Sequence, residues 1–441
     1  MKGYKLLVSA LGCMMVTGGA YAQRPNVLLI YTDDQGTLDA GCFGATDLYT
    51  PHMDRIAASG VKFTQFYAAP VSSASRAACL TGQYAAHNGI TGIVQADGLA
   101  SAKETIAERM QMNGYRTACI GKWHLGFNDG CLPNNQGFDY FWGFRRGCID
   151  NYSHYFYWNG PNRHDLWRNE EEIFEYGQFF MDLNVRELKN FMTEEDTDKP
   201  FFIYWAVNMP HYPIQPKVKW LDHYSHLPDP RRMYAAFVST FDEYLGEILS
   251  FLDDQGLSEN TIIIYQSDNG HSCETRNFGG GGYCGDFRGA KFSLFEGGIR
   301  VPAMISWPRH IPAGQTRDQM LMNIDWFPTI MDLCEIDPEG TVIDGKSVMP
   351  VVRDPDHPGV HDVLYFDHGN KWAVRERDWK LLYNAMDIFK NDEKSSNKGY
   401  FLVNMTNDCI ESTNLAEEHP EIVERLLKLR DNRNLFKEGV K

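Results

Sequence analysis

Short apolar runs of strand length alternate with helical patterns along most of the chain. Four of these runs are each followed at once by polar residues, at positions 26–31, 116–120, 201–207 and 261–266. Helical spacing of apolar residues lies between them, at 101–112 and 235–252. The alternation predicts an α/β fold with a large, mixed and mostly parallel central sheet flanked by helices. Because sites in such sheets assemble at the carboxyl ends of the strands, the polar residues there predict one common site.

The pattern changes near residue 361. Strand-like segments follow one another at 363–366, 373–374, 379–383 and 400–403, and a helical pattern covers 418–429. This predicts a small C-terminal antiparallel-sheet subdomain over residues 361–441, after a larger α/β domain over residues 23–360.

The first 22 residues have the features of a secretory signal. Lys2 and Lys5 precede an apolar run at 6–16, and Ala20-Tyr21-Ala22 ends the segment. The sequence therefore predicts cleavage before Gln23 and export, most simply to a bacterial periplasm. The apolar run is too short to span a bilayer, and no later run is long enough, so no membrane span is predicted.

The charge of the chain limits its partners. The 441 residues carry a formal net charge of −16, and removal of the signal takes away two lysines, which makes the rest more negative. Binding of nucleic acid by bulk attraction is therefore excluded, and an anionic substrate needs a local cluster of positive groups. Ten cysteines are present, of which Cys13 lies in the signal. Cys273 and Cys284 flank a glycine-rich loop and are the expected disulfide in an exported protein.

One serine-rich segment points to a specific chemistry. Ser72-Ser73-Ala74-Ser75-Arg76, followed by Thr81-Gly82, resembles the maturation signature C/S-x-P/A-S-R-x4-T-G of type I sulfatases, which belong to the alkaline phosphatase superfamily. A serine turn capping a helix that begins near Ser75 is the plain alternative, and a helix N-terminus also suits an anion. The resemblance implies that a serine-type radical maturase oxidises Ser72 to 3-oxoalanine, also called formylglycine, before export. The aldehyde hydrate can attack sulfur and then expel sulfate by C–O cleavage, which an unmodified serine cannot do.

Two further blocks strengthen the resemblance. Gly121-Lys122-Trp123-His124-Leu125-Gly126 matches a second sulfatase signature in full, and the segment from Arg288 to Pro302 resembles a later one. Lys122 and His124 alternate along what reads as an extended segment and are expected to point the same way. The resemblance implies that Arg76 holds the hydrate and Lys291 binds sulfate. It leaves His211 and His124 as alternatives for the general acid that protonates the leaving alcohol.

A cluster of oxygen-bearing residues predicts a metal site. Asp33, Asp34, Asp268 and Asn269 supply hard ligands suited to Ca²⁺ or Mg²⁺, and no histidine or cysteine stands among them in the sequence, which disfavours zinc. In the family these positions, with an oxygen of residue 72, bind one divalent cation, usually calcium.

The segment 138–176 is dense in aromatic and polar residues and is the expected specificity loop. Arginine forks and aromatic planes suit sugars with carboxylate or sulfate groups. Five residues are expected to contact substrate: Arg145, Arg146, His154, Arg163 and His164. The resulting hypothesis is an exported, exo-acting sulfatase of glycosaminoglycan or mucin-type glycans. The alternatives are a phosphodiesterase or phosphonate monoester hydrolase of the same superfamily, and a non-catalytic binder of sulfated glycans with Ser72 unmodified.

Overall fold

The computed structural model describes residues 24–157, 160–193, 198–387 and 399–435. The predicted signal, residues 1–22, lies outside the described residues. The strands are β1 Asn26–Asp33, β2 Val61–Phe63, β3 Phe66–Tyr67, β4 Arg116–Lys122, β5 Tyr140–Phe144, β6 Tyr155–Phe156, β7 Arg163–His164, β8 Trp167–Arg168, β9 Glu171–Glu172, β10 Phe201–Pro210, β11 Thr261–Ser267, β12 Ala303–Ser306, β13 Gln315–Arg317, β14 Leu321–Met322, β15 Val363–His368, β16 Lys371–Glu376, β17 Trp379–Tyr383 and β18 Tyr400–Asn404. The α-helices are α1 Pro51–Ala58, α2 Ser72–Thr81, α3 Ala85–Asn88, α4 Ile106–Met112, α5 Phe180–Thr193, α6 Val218–His223, α7 Arg231–Asp254, α8 Glu296–Ile299, α9 Trp326–Leu333, α10 Met349–Arg353 and α11 Pro420–Leu435.

Ten strands form the central sheet, in the order β13-β2-β12-β11-β1-β10-β4-β5-β8-β9. The five adjacent strands β11, β1, β10, β4 and β5 run parallel to one another, while β12 pairs antiparallel with β11, β8 pairs antiparallel with β5, and β9 pairs antiparallel with β8. Every residue of β1, β10 and β11 is buried, as expected for parallel strands covered by helices on both faces. The predicted mixed, mostly parallel sheet is confirmed.

Alternate residues of β1 belong to two hydrophobic cores on opposite faces of the sheet. Leu29 packs in the core that includes α2, α4 and α9, whereas Leu28 and Ile30 pack in the core that includes α1, α5 and α7. Side chains of a strand point to alternate faces, so a continuous apolar run serves both cores. The sheet is thereby fixed between two helical layers, and its carboxyl edge becomes a rigid platform.

The C-terminal part is a four-stranded antiparallel sheet in the order β15-β16-β17-β18. One face packs against residues around β3, α2 and α8, and the other face packs against α11. A buried cluster of charged side chains also joins this sheet to the larger part. The Lys380 ammonium of β17 lies 2.9 Å from the Glu296 carboxylate of α8 and 2.7 Å from the Glu411 carboxylate. The predicted small antiparallel sheet with a following helix is confirmed, and the boundary at residue 360 stays a prediction.

Three local expectations are corrected. The helix predicted at 101–112 begins only at Ile106, because Thr105 forms a capping box with Glu108. The helix expected near Ser75 begins at Ser72. The described cysteines are all free, so Cys273 and Cys284 do not form the expected disulfide. Chain spacing alone does not align two Cβ positions for an S–S bond. Among the described residues, no helix combines the length and apolar character needed to cross a membrane.

Candidate active site

The predicted site residues converge at one edge of the sheet. Asp33 ends β1, Lys122 ends β4, Asp268 follows β11 and His211 follows β10. These four strands are neighbours in the sheet and parallel, so their carboxyl ends lie side by side. Residues far apart in the sequence are brought together by strand order alone, as the polar strand ends predict.

Ser72 is the first residue of α2 and is 2% exposed. Its Oγ lies 3.1 Å from Asp33 Oδ1, to which it donates, and the Lys122 ammonium lies 3.3 Å from the same Oγ. The N-cap residue Val71 makes no side-chain capping bond. The backbone N–H groups of the first helical turn therefore face the site without a side-chain acceptor from the cap, which favours an anion there.

Three carboxylates and three cations are buried together. Lys122 Nζ lies 2.6 Å from Asp33 Oδ2, Lys291 Nζ lies 2.8 Å from Asp34 Oδ2, and Arg76 Nη2 lies 2.9 Å from Asp268 Oδ2. Burial alone would raise the pKa of Asp33, but Lys122 and Arg76 outweigh it and hold that pKa below 3.8. Burial likewise would lower the pKa of Lys291, but Asp34 raises it above 10.5. Arg76 Nη2 also lies 3.6 Å from Asp33 Oδ1, the oxygen that accepts from Ser72, and its expected role in holding the hydrate stays a prediction.

The oxygen-bearing residues fit a hard divalent cation. The buried Asn269 Oδ1 has no hydrogen-bond partner among the described residues, while its Nδ2 donates to Asp34 Oδ1 at 2.7 Å. Asp34 has a φ of 63°, an unusual conformation for aspartate that recurs at functional sites. Burial raises the pKa of Asp34 to about 7, which indicates that the protein's own cations do not fully compensate it. An orphaned amide oxygen beside acidic groups suits Ca²⁺ or Mg²⁺.

The two candidate general acids differ in their surroundings. His211 Nδ1 lies 2.7 Å from the carbonyl oxygen of Tyr212, and its Nε2 lies 3.7 Å from Asp34 Oδ2. The atoms of Asp33, Asp34 and His211 that could coordinate a metal ion all lie within 4.8 Å of one another. No histidine stands among the acidic residues in the sequence, but His211 does stand beside them in the folded chain, so the expectation of an acidic cluster without histidine is wrong. Chain order placed His211 far from the aspartates, but the neighbouring strands β1 and β10 bring them together.

His124 reaches the site by a backbone turn. Its φ is 56°, in the left-handed region, so the expectation of an extended segment from Lys122 to His124 is corrected. The backbone of Gly147 lies against the His124 imidazole, since a Cβ there would come within 2.8 Å of Nε2. Burial, followed by nearby cations, lowers the pKa of both His124 and His211 well below 6.5. Both imidazoles are therefore neutral until an anion enters.

A cavity of about 260 Å³ opens over Ser72. His124, His211 and Lys291 line it, and so do Arg145 and Arg146 from the predicted specificity loop. The remaining lining residues are Ile93, Val94, Gln95, Phe127, Gly147, Cys148, Phe156, Tyr212, Glu274, Arg276 and Phe292. The cavity thus joins the buried charge cluster to a wall of aromatic and basic side chains.

Three predicted substrate residues do not reach this cavity. His154 has no exposed surface and its Nε2 contacts the Gln178 carbonyl at 3.1 Å. His164 stacks on Phe174 and pairs with Glu172 at 3.0 Å. Arg163 is exposed on β7. None of the three is among the described residues that line the cavity.

Glu274 and Arg276 line the cavity without having been predicted. They follow β11 in an irregular segment, where the Arg276 guanidinium pairs with the Glu274 carboxylate at 3.1 Å. No periodicity marks charged residues in such a segment as facing a site. Their position a few residues beyond Asp268-Asn269 is the one sequence signal that could have found them.

Comparison with known proteins assigns this architecture to a class of enzyme. Residues 25–336 match the sulfatase family, and residues 287–431 match the C-terminal region of N-sulphoglucosamine sulphohydrolase. The chain therefore belongs to the sulfatase family, and it is a sulfuric ester hydrolase like its named relatives.

Several relatives cover nearly the whole chain. N-acetylgalactosamine-6-sulfatase of Rattus norvegicus is 31% identical over 96% of this chain and 83% of that protein. N-acetylgalactosamine-6-O-sulfatase of Bacteroides thetaiotaomicron is 26% identical over 98% and 97% of the two chains. The crystal structure of Ps i-CgsB has a TM-score of 0.83 and 27% identity over 93% of this chain and 92% of that one. Ps i-CgsB has also been solved in complex with k-i-k-neocarrahexaose, with a TM-score of 0.82.

Proposed function

We propose that this protein is an exported, exo-acting carbohydrate sulfatase that removes sulfate esters from glycosaminoglycan or mucin-type glycans. The observation that carries the proposal is the meeting of Ser72, at the N-terminus of α2, with Lys122 and the acidic cluster beneath one cavity. A helix N-terminus and buried cations favour a sulfate group, and the cavity leaves room for the attached sugar.

The nucleophile in this proposal is formylglycine made from Ser72 by a serine-type maturase. Once formed, it supplies a hydrated aldehyde that can accept the sulfate group and then release sulfate without a second S–O cleavage. The chain's own contribution is position: Asp33 and Lys122 contact the Oγ of residue 72 from two sides, at 3.1 and 3.3 Å. These two contacts fix the direction in which an oxygen at this position faces the cavity.

The proposed metal is one Ca²⁺, with Mg²⁺ as the alternative. Asp33, Asp34, Asp268, Asn269 and residue 72 would hold it. When bound, such an ion polarises the sulfate and stabilises negative charge. The orphaned Asn269 oxygen and the raised pKa of Asp34 support this assignment, because an unpartnered amide oxygen and an incompletely compensated carboxyl group suit the coordination of a cation.

The remaining site residues are proposed to bind the sulfate and protonate the leaving alcohol. Lys291 and His211 line the cavity beside Ser72 and would contact the sulfate oxygens. Burial first, and nearby cations second, lower the histidine pKa values. An entering anion offsets the cations, so His211 or His124 could then carry the proton for the leaving alcohol. The proposal leaves both histidines as candidates for this role.

The substrate class rests on the relatives and on the cavity. The named relatives include N-acetylgalactosamine-6-sulfatase and N-acetylgalactosamine-6-O-sulfatase, and Ps i-CgsB has been solved in complex with k-i-k-neocarrahexaose. The cavity volume of about 260 Å³ lies near the lower end of the range of about 300–1,000 Å³ typical of small-ligand pockets. That size favours a terminal sugar over the middle of a polymer, which supports exo action. Export is proposed from the signal-like sequence of residues 1–22.

The test compares ester classes with the matured protein. Protein co-produced with a serine-type maturase and loaded with calcium is expected to release sulfate from sulfated sugars and to turn over phosphodiesters and phosphonate monoesters far more slowly. Ser72→Ala should abolish turnover. The matched control is Ser73→Ala, since Ser73 is the buried neighbour whose Oγ accepts only from the Val94 backbone N–H. Turnover confined to phosphorus esters would refute the assignment, and substrate binding without any turnover would favour a glycan-binding role.

A further inference from the structure

The cationic side chains that line the cavity differ in what balances their charge. Lys291 pairs with Asp34 at 2.8 Å, and Arg276 pairs with Glu274 at 3.1 Å. Arg145 lies flat on the Trp167 ring and donates to the carbonyl oxygen of Asn169 at 3.2 Å. Arg146 differs, because among the described residues its side chain forms no ion pair or hydrogen bond. The buried Asp165 carboxylate is near enough to interact with its charge, since burial raises the pKa of Asp165 and Arg146 is among the groups that oppose the rise.

Arg146 is nevertheless held in a fixed position. Its guanidinium lies 3.8 Å from the centre of the Phe127 ring and 5.6 Å from that of Phe156, and both rings line the cavity. Its backbone N–H donates to Asp165 Oδ2 at 2.9 Å. The carboxylate therefore fixes the main chain, while the two rings hold the guanidinium by stacking and leave its N–H edge for another acceptor.

Arg146 also lies close to the sulfate end of the cavity. The segments after β4 and β5 continue side by side, because the His124 N–H donates to the Arg145 carbonyl at 3.2 Å. The next glycine, Gly147, lies against the His124 imidazole. Arg146 is thus next in the chain to the glycine that contacts a proposed general acid, and it lines the same cavity as His124 and Ser72.

We propose that Arg146 binds a second anionic group on the saccharide whose sulfate ester lies over residue 72. This inference rests on the proposed function and narrows it to sugars with two negative groups. The second group is a carboxylate or a further sulfate, since either accepts two parallel N–H bonds from an arginine. Glu274, the acidic residue on the cavity wall, does not oppose this, because Arg276 already neutralises it.

The test is a binding comparison with full-length, calcium-loaded Ser72→Ala protein, which cannot turn over its ligand. Titration calorimetry would use N-acetylgalactosamine 6-sulfate as the singly charged probe. N-acetylgalactosamine 4,6-disulfate and a uronate-containing chondroitin 6-sulfate disaccharide are the doubly charged probes. Adding Arg146→Gln is expected to weaken binding of a doubly charged probe by about 10- to 100-fold and that of the singly charged probe by less than about 3-fold. The probe that loses more identifies the second group as sulfate or carboxylate.

Two variants make the comparison specific. Arg146→Lys keeps a charge but loses the planar fork, so it should retain only part of the discrimination. Arg377→Gln, at an exposed residue that pairs with Asp362 and does not line the cavity, is the matched control and should leave all three affinities unchanged. Equal weakening of all probes by Arg146→Gln, no weakening, or failure of both doubly charged probes to bind would overturn the inference. Failure of the matured wild-type protein to hydrolyse sulfate esters would instead refute the proposed function, and the binding comparison would still decide the role of Arg146.

Discussion

Replacing Lys122 with methionine tests the proposed nucleophile site most sharply. The Lys122 ammonium is fully buried and lies 2.6 Å from Asp33 Oδ2 and 3.3 Å from Ser72 Oγ. Methionine has a similar length and no charge, so it fills the space while removing both contacts. The proposal expects the variant to fold and to lose most of its activity.

The size of the effect follows from the contacts removed. Hydrogen bonds to charged groups contribute about 1.5–3 kcal/mol each, so loss of two gives about 3–6 kcal/mol. If that stabilisation acts in the transition state, kcat/KM falls on the order of 10²- to 10⁴-fold, with most of the loss in kcat. Asp33 also loses the cation that contributes most to holding its pKa below 3.8, which weakens it further as an anionic ligand.

The assay must separate catalysis from maturation and folding. Initial rates on a sulfated sugar would be normalised to the fraction of residue 72 that is oxidised, as measured by mass spectrometry. Lys62→Met is the matched control, because Lys62 lies in β2 of the same sheet and its ammonium donates to the Cys42 carbonyl. That variant should keep its activity within a few-fold. A loss of less than about 10-fold in oxidised, calcium-loaded Lys122→Met protein would refute the reasoning.

Three further predictions concern the metal and stability. Chelation should abolish sulfate release, and Ca²⁺ at about 100 times its Kd should restore it. Calcium at that concentration should also add about 2.7 kcal/mol to the free energy of unfolding in urea. A free energy of unfolding that does not depend on calcium would contradict the proposed metal site. Lys380→Met leaves Glu296 and Glu411 buried without their shared cation, so the free energy of unfolding in urea should fall by about 3–5 kcal/mol. A fall of less than about 1 kcal/mol would show that the buried ion pairs contribute little to stability. Burial raises the pKa of Asp242 from 3.8 to about 7, so between these values the folded chain holds a proton that the unfolded chain has released. Its contribution to stability therefore falls as pH rises, by about 2–3 kcal/mol from about pH 5 to about pH 7, and equal pH slopes for the wild type and Asp242→Asn would exclude this.

The sheet and the meeting of the main site residues could be predicted because each depends on a local signal. An apolar run followed by a polar group, as at Asp33 and Asp268, is readable from the sequence. Parallel pairing then dictates that such strand ends meet. The proximity of His211 to Asp34 needed the strand order itself, which local patterns do not specify.

The cavity wall was harder to predict because it is built from irregular segments. Aromatic and basic composition identified the segment that supplies Arg145 and Arg146, but it could not distinguish residues that line the cavity from residues such as His154 and His164, which do not. Glu274 belongs to a segment without periodicity. The expected disulfide failed for a related reason, since the direction of a cysteine side chain depends on local backbone geometry.

Peptide mass spectrometry across Ser72 to Arg76 tests the central claim most directly. The protein would come from its native host or from co-production with a serine-type maturase, and a parallel sample made without the maturase is the control. The account predicts loss of two hydrogens at Ser72, seen as the aldehyde or its hydrate, in step with sulfate release. Unmodified serine in protein that hydrolyses sulfate esters would contradict the proposed nucleophile, and unmodified serine without turnover would make the glycan-binding alternative the better account.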